Sequence, residues 1–210
     1  MGHFMLRYLS PVLALGLFAC SAEPESPTIN TDALEAASAA AEVIGLPIGS
    51  QVPDIRLQDA RGQEQTWADF AGENGTVVYF NRSLDWCPFC QVQVMDVNAA
   101  ARRFEAEGYG VVVITYDPVE TLRMFSVERM IGIPLLSDPE SDLVDAFDIR
   151  DPVYTDPESM AYGVPYPITF VIDPDGVITG KYWHEPGLGE RRGYRERITV
   201  DDVIGTLAGN

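Results

Sequence analysis

The spacing of hydrophobic positions over residues 46–210 changes several times, and each change marks an element. In SQVPDIRLQDARGQEQTWADF, Ile55 and Leu57 alternate with polar neighbours, and Arg61-Gly62 supplies a turn, which predicts a leading β-hairpin. Gly75 then opens TVVYF, a β-branched and aromatic run of the kind buried on both faces of a sheet. From Pro88 the period lengthens. Cys90, Val94, Val97, Ala101 and Phe104 fall at helical spacing and Gly108 ends the run, so a single helix is expected there. GVVVITY, Gly110 to Tyr116, predicts another buried strand. Asp117 as a cap, Pro118 at the first helical position and Glu120 in a capping-box pattern predict a helix with Leu122, Phe125 and Met130 facing inward. Ser137-Asp138-Pro139-Glu140 repeats the start signal ahead of Leu143, Val144 and Phe147. ITFVID and VITGKYW flank Asp173-Pro174-Asp175-Gly176, a type I turn sequence, and strands so closely joined are antiparallel. A final helix is expected after Thr199, with Asp202 three residues on.

The resulting order is strand, helix, strand, helix, helix, strand, strand, helix. A parallel βαβ first half and an antiparallel ending predict an α/β domain with a mixed sheet and helices on its faces. One connection is unusually long: RDPVYTDPESMAYGVPY, Arg150 to Tyr166, rich in turns and tyrosine. Loops of that length in compact domains often serve function, and this one is expected to border the reactive centre and help select substrate.

Composition divides the rest of the chain. Residues 20–45 are rich in Ala, Glu, Ser and Pro with almost no aromatics, the mark of a flexible tether. Residues 1–19 carry Arg7, then the short apolar run PVLALGLFA, a secretory signal pattern too short to span a bilayer as a helix. Leu17-Phe18-Ala19-Cys20 resembles a bacterial lipobox, which implies lipidation of Cys20, with a bulkier Phe18 than such sequences usually hold. That resemblance implies a membrane anchor in the cell envelope, facing the periplasm, and Ser21 points to the outer membrane. The formal net charge of −18 argues against nucleic acid as a partner. Lys181, Arg191, Arg192, Arg195 and Arg197 form a local basic cluster, an anion-binding patch or a set of surface ion pairs, with the ion pairs the expectation.

Two of the three cysteines lie in SLDWCPFCQVQV, as Cys87 and Cys90. A zinc site needs about four ligands, and beyond His3 the sole histidine is His184, so no metal or other cofactor is expected. A structural bridge across two residues removes little chain entropy and stabilises weakly. A redox role has a positive physical case: the pair sits where a buried strand passes into a helix whose first N–H groups and dipole favour a thiolate. Cys87, at the strand end, is expected to be the exposed nucleophile and Cys90, one turn in, the shielded second thiol. Pro88 stiffens the turn, and Trp86 can cover the sulfurs and offer a docking face.

DWCPFC after a buried strand, with PYPITFVIDPDG much later, resembles the thioredoxin-like superfamily. It is most similar to the redoxin branch, the alkyl hydroperoxide reductase/thiol-specific antioxidant group, over Gly49 to Gly180. The resemblance implies a thioredoxin-like fold and thiol redox activity with Cys87 and Cys90 as the reactive pair. It also implies a cis proline at Pro167 facing that pair, with Trp86, Pro167 and Thr169 at the substrate. The sequence departs from the peroxidases of the group, which carry Pro-x-x-x-Thr-x-x-Cys and a distant Arg: neither cysteine has that context, and Pro167 stands where the Arg would be. Tyr79 occupies the place of the buried strand carboxylate of thioredoxins, with Asp85 a conceivable substitute base. The expected function is therefore disulfide reduction, with protein or small-molecule disulfides as substrates and a thiol partner as electron donor. Thiol peroxidase activity on peroxides is the alternative, and a metal-handling or redox-sensing module using His184 is a third reading. Arg82, Arg123 and Arg150 are the arginines that could supply the missing charge beside Cys87.

Overall fold

The computed structural model describes Met1 and residues 44–208, so the segment read as a signal, Cys20 and nearly all of the tether lie outside the described residues. The described strands form one seven-stranded sheet in the order β2-β1-β5-β4-β3-β6-β7. The leading hairpin is β1 (Leu57–Asp59) and β2 (Glu64–Gln65), and β1 joins the sheet edge antiparallel to β5 (Leu135–Ser137). The centre is β3 (Gly75–Phe80), flanked by parallel β4 (Tyr109–Thr115) and antiparallel β6 (Ile168–Ile172), which pairs in turn with β7 (Ile178–Trp183). The mixed α/β sheet expected from the sequence is thus the architecture found.

β3 is buried along its whole length, as an unbroken run of β-branched and aromatic residues requires. Successive side chains point to opposite faces: Val77 and Tyr79 enter one core with Cys87, Cys90 and Val94, while Val78 and Phe80 enter the other with Phe147 and Phe170. The first core is covered by α1 (Pro88–Ala99), α3 (Val119–Arg129) and α5 (Val200–Leu207), the second by α4 (Asp142–Ala146). The capping box that opens α5 forms as the sequence implied, with the Thr199 hydroxyl accepting from Asp202 N–H at 3.1 Å. The Asp173–Gly176 turn also forms, with Asp173 Oδ1 accepting from the N–H groups of Asp175 (3.0 Å) and Val177 (2.8 Å).

Several expectations need correction. The helix after Pro88 breaks at Ala100 into α1 and a short α2 (Ala101–Ala106), although Phe104 continues the buried stripe. β5 went unpredicted because three consecutive buried residues carry no alternation. α3 begins at Val119 with Pro118 as its N-cap, and Asp117 does not cap it. Met130 is the C-cap, left-handed at φ 53° and 86% exposed, so it is not part of the inner face. Lys181 does not belong to a surface cluster. It is buried, and its Nζ donates to the carbonyls of Ile44 (2.8 Å), Gly45 and Leu46 (3.3 Å each), tying residues 44–46 to β7.

Candidate active site

The sheet delivers β3 into a loop, Asn81–Trp86, that ends at the α1 N-cap, Cys87. Asp117 explains why this loop has one shape. Its buried carboxylate accepts from Ser83 Oγ (2.7 Å), Leu84 N (2.6 Å) and Thr115 Oγ1 (2.9 Å). Burial pushes the Asp117 pKa up, and those hydrogen bonds only partly oppose the shift. The residue read as a helix cap is therefore the clamp on the cysteine loop.

Cys87 and Cys90 are joined as a disulfide, with Cα atoms 5.3 Å apart across the first helical turn. Both are buried, at 1% and 0% exposure, so the expectation that Cys87 is exposed fails in this oxidised state. The segment from His184 to Thr199, between β7 and α5, runs past the pair as a strap and sets Arg197 against both sulfurs. Tyr166 Oη donates to His184 O (2.7 Å) at one end, and Tyr154 Oη donates to Arg191 O (3.1 Å) further on. Gly187 and Gly193 touch: a Cβ on Gly193 would stand 1.7 Å from Gly187 O, so only glycine lets the strap close.

The strap brings in the residue that sequence reasoning misplaced. Arg197 is not in a surface ion pair. Its Nη1 donates to Asn81 Oδ1 (2.7 Å) and Gln93 Oε1 (2.6 Å), while its Nη2 lies 3.2 Å from Cys90 Sγ and 3.9 Å from Cys87 Sγ. Burial, then the charge of Arg82, pulls the Arg197 pKa down to about 10, which still leaves it cationic at neutral pH. Of the three arginines proposed to stand near Cys87, Arg123 pairs with Glu120 and Arg150 with Asp145 on the surface. Arg82 does enter the site. It is 2% exposed, with its guanidinium carbon 3.8 Å from the ring centre of Tyr194, 4.4 Å from Tyr154 and 5.1 Å from Trp86. Arg195 by hydrogen bond, then Arg82 by its charge, holds the Tyr194 phenol below its ordinary pKa. No local motif around Arg82 or Arg197 announces these roles, because both depend on contacts more than a hundred residues apart in the chain or on the path of the strap.

Trp86 is placed by its indole N–H, which donates to Tyr116 Oη (2.9 Å), and Tyr116 in turn donates to Met160 O. Through Tyr154, whose ring lies against Arg82, and Met160, whose carbonyl accepts from Tyr116, the Arg150–Tyr166 loop reaches the loop that precedes Cys87. Pro167 is buried at the start of β6, but all peptide bonds among the described residues are trans, which corrects the expected cis proline. The approach to β6 is already strand-like: Tyr166 N donates to Ile149 O (2.8 Å) and Arg150 bridges Pro165, so an extended trans path serves. Thr169 lies inside β6 between Tyr79 and Tyr182, with a strand on each side of its backbone. Tyr79, expected from the resemblance where thioredoxins carry a buried carboxylate, has its hydroxyl buried without a partner, and burial drives its pKa far upward. Asp85 uses its backbone N–H on Ser83 Oγ. His184 caps a single 3-10 turn, and no group of three metal-binding side chains occurs among the described residues.

A sheet of this order with a two-cysteine couple at the head of its first long helix defines a thioredoxin-like thiol redox protein. The AhpC/TSA family profile matches residues 48–181, and the chain belongs to that family. It is 29% identical over 156 residues to MT2597 of Mycobacterium tuberculosis, which bears a peroxiredoxin name; the match covers 72% of this chain and 94% of that protein. It is also 23% identical over 144 residues to the thiol-disulfide oxidoreductase ResA of Geobacillus kaustophilus, covering 66% and 73%. Among solved structures, peroxidoxin BcpB of M. tuberculosis superposes with a TM-score of 0.62 at 21% identity, covering 79% of this chain and 97% of that one, a likeness of fold. The family is one of thiol-dependent oxidoreductases and peroxidases.

Proposed function

We propose that the protein is a disulfide reductase in which Cys87 and Cys90 cycle between dithiol and disulfide. The Cys87 thiolate attacks a substrate disulfide, forming one S–S bond and expelling a substrate thiolate. The Cys90 thiolate then attacks Cys87 Sγ, closing the internal disulfide and releasing the second substrate thiolate, so two electrons leave the protein. A thiol donor returns them by the reverse sequence. The observation that carries this reading is the internal disulfide at the start of α1 with the Arg197 guanidinium against both sulfurs. A cation there favours the thiolate that each exchange step either consumes or releases. Replacing Cys87 with Ser is expected to abolish reduction of a protein disulfide, and Cys90→Ser to accumulate mixed disulfides. Faster alkylation of Cys90 than of Cys87 in the reduced protein would reverse the roles.

A second reading, thiol peroxidase, is favoured by the same guanidinium. A peroxide must be held and its O–O bond polarised by placed donors, and Arg197 touches both sulfurs with Arg82 close enough to act on it, even though the peroxidase motif is absent. Stopped-flow mixing of the reduced protein with hydrogen peroxide separates the two. Slow oxidation, at the rate of an ordinary thiolate, supports the reductase, whereas a far faster reaction promotes the peroxidase. We further propose that lipid on Cys20 tethers the domain to the envelope, facing the periplasm. Cys20→Ala should then shift the protein from the membrane to the soluble fraction, and unchanged membrane attachment would remove the anchor from the account.

A further inference from the structure

Six buried side-chain nitrogen or oxygen atoms among the described residues have no hydrogen-bond partner, and four of them gather at the redox centre: Asn81 Nδ2, Arg82 Nε and Nη1, and Arg197 Nε. All four are donors. Buried polar groups are nearly always satisfied, so a cluster of one kind is a feature to be explained. The rings of Tyr194, Tyr154 and Trp86 lie against the Arg82 guanidinium and the Tyr194 phenol is a hydrogen-bond neighbour of it, yet Arg82 Nε and Nη1 still have no acceptor. Asp151 is near enough to feel that charge, yet it makes no ion pair with it. Arg197 and Asn81 are joined directly, and Arg197 touches both sulfurs, so the donors and the disulfide share one site.

We infer that Asn81, Arg82 and Arg197 form a carboxylate-binding subsite, selecting small thiols and disulfides that carry a carboxylate close to sulfur. The inference rests on the disulfide-exchange reading and names the substrate class for it. A carboxylate offers two oxygens and about four acceptor sites to donors from two guanidinium groups and an amide, its charge matches theirs, and Arg forks suit its geometry. Distance sets where the charge must lie. With Arg197 Nη2 at 3.2 and 3.9 Å from the two sulfurs, a carboxylate on the same guanidinium lies a few bonds from the sulfur exchanging with Cys87. Access to the subsite and access to Cys87 are one event, because Tyr194 and Arg197 both ride on the strap.

The chain as a whole makes the test discriminating. A net charge of −18 repels anionic reagents and attracts cationic ones, so the general field and the local subsite predict opposite rankings. The experiment is reduction of the Cys87–Cys90 disulfide, followed by the change in tryptophan fluorescence, with 3-mercaptopropionate, 2-mercaptoethanol and cysteamine, each rate corrected for its thiolate fraction. The expected result is that 3-mercaptopropionate is about tenfold faster than the neutral thiol, the scale of one charge-assisted hydrogen bond. Added salt should leave that order in place while it screens the general repulsion. Arg82→Met should bring the ratio of anionic to neutral rates close to one, and Arg82→Lys should restore part of it. An order of cysteamine over 2-mercaptoethanol over 3-mercaptopropionate in the native protein, at low and high salt, overturns the subsite and needs no variant to fold. Failure of the exchange reading looks different: none of the three thiols, the neutral one included, would reduce the pair.

Discussion

Replacing Arg197 with Met removes the one cation among the described residues in contact with the sulfurs while keeping most of the side chain's packing volume. Its Nη2 stands 3.2 Å from Cys90 Sγ and 3.9 Å from Cys87 Sγ, and Arg197 is half-buried. At an effective dielectric of about 20, a unit charge pair at such a distance is attracted by roughly 4–5 kcal/mol; in bulk water the figure is about 1 kcal/mol. Arg197 shares its donors with Asn81 and Gln93 and retains some solvent, so about 1.5–3 kcal/mol is a reasonable share for the thiolate. At about 1.4 kcal/mol per tenfold change, the pH midpoint of cysteine alkylation in the reduced protein should move up by roughly one to two units. Less stable thiolate means a less stable reduced form, so the reduction potential above that midpoint should fall by about 30–60 mV. The assays are iodoacetamide alkylation against pH and equilibration with a thiol redox buffer. Arg197→Lys should recover part of both shifts. If Arg197→Met alkylates with the native pH profile, the guanidinium does not act on the thiolate and the electrostatic account of this centre is wrong.

Burial raises the folded-state pKa values of Asp117, Asp138 and Asp151 above 3.8, so their favourable contribution is complete below about pH 4 and is lost as pH rises through the folded values. The melting temperature should therefore fall as pH climbs from about 4 toward neutrality, and Asp117→Asn should flatten that slope; an identical slope in the variant would clear Asp117 of the effect. Gly193→Ala drives a methyl into Gly187 O and should lift the strap, speeding reduction of the disulfide by a neutral thiol; an unchanged rate would mean that the strap does not limit access. Lys181→Met leaves the carbonyls of Ile44, Gly45 and Leu46 without that donor and should cost about 1–3 kcal/mol in urea unfolding, with no loss of stability as the contrary result.

The sequence was most legible where one residue's surroundings are its neighbours. The unbroken apolar run at Val77–Phe80, the Thr199–Asp202 box and the Asp173–Gly176 turn each state their structure locally, and all three form. The cysteine pair at a helix start was legible for the same reason. Asp117 shows where that logic stops: its spacing to Glu120 reads as a helix cap, yet its carboxylate crosses to Ser83 and Leu84, 34 and 33 residues away. Arg197 is the stronger case. Its basic neighbours suggested a solvated face, and only the course of the strap turns it onto sulfur. Lys181 reads as a surface lysine in an acidic chain until three carbonyls from the far end of the domain close around it.

The distance in sequence between Arg197 and the cysteines also bears on the protein's biogenesis. A chain made from its N-terminus presents Cys90 107 residues before the arginine that will touch it. During that interval the pair lacks both the strap and its cation, and it is open to any oxidant or foreign thiol in its surroundings. The dithiol thus acquires its own redox character at the end of folding, when the last stretch before α5 settles over it. Until then it is chemically two ordinary thiols on a nascent chain.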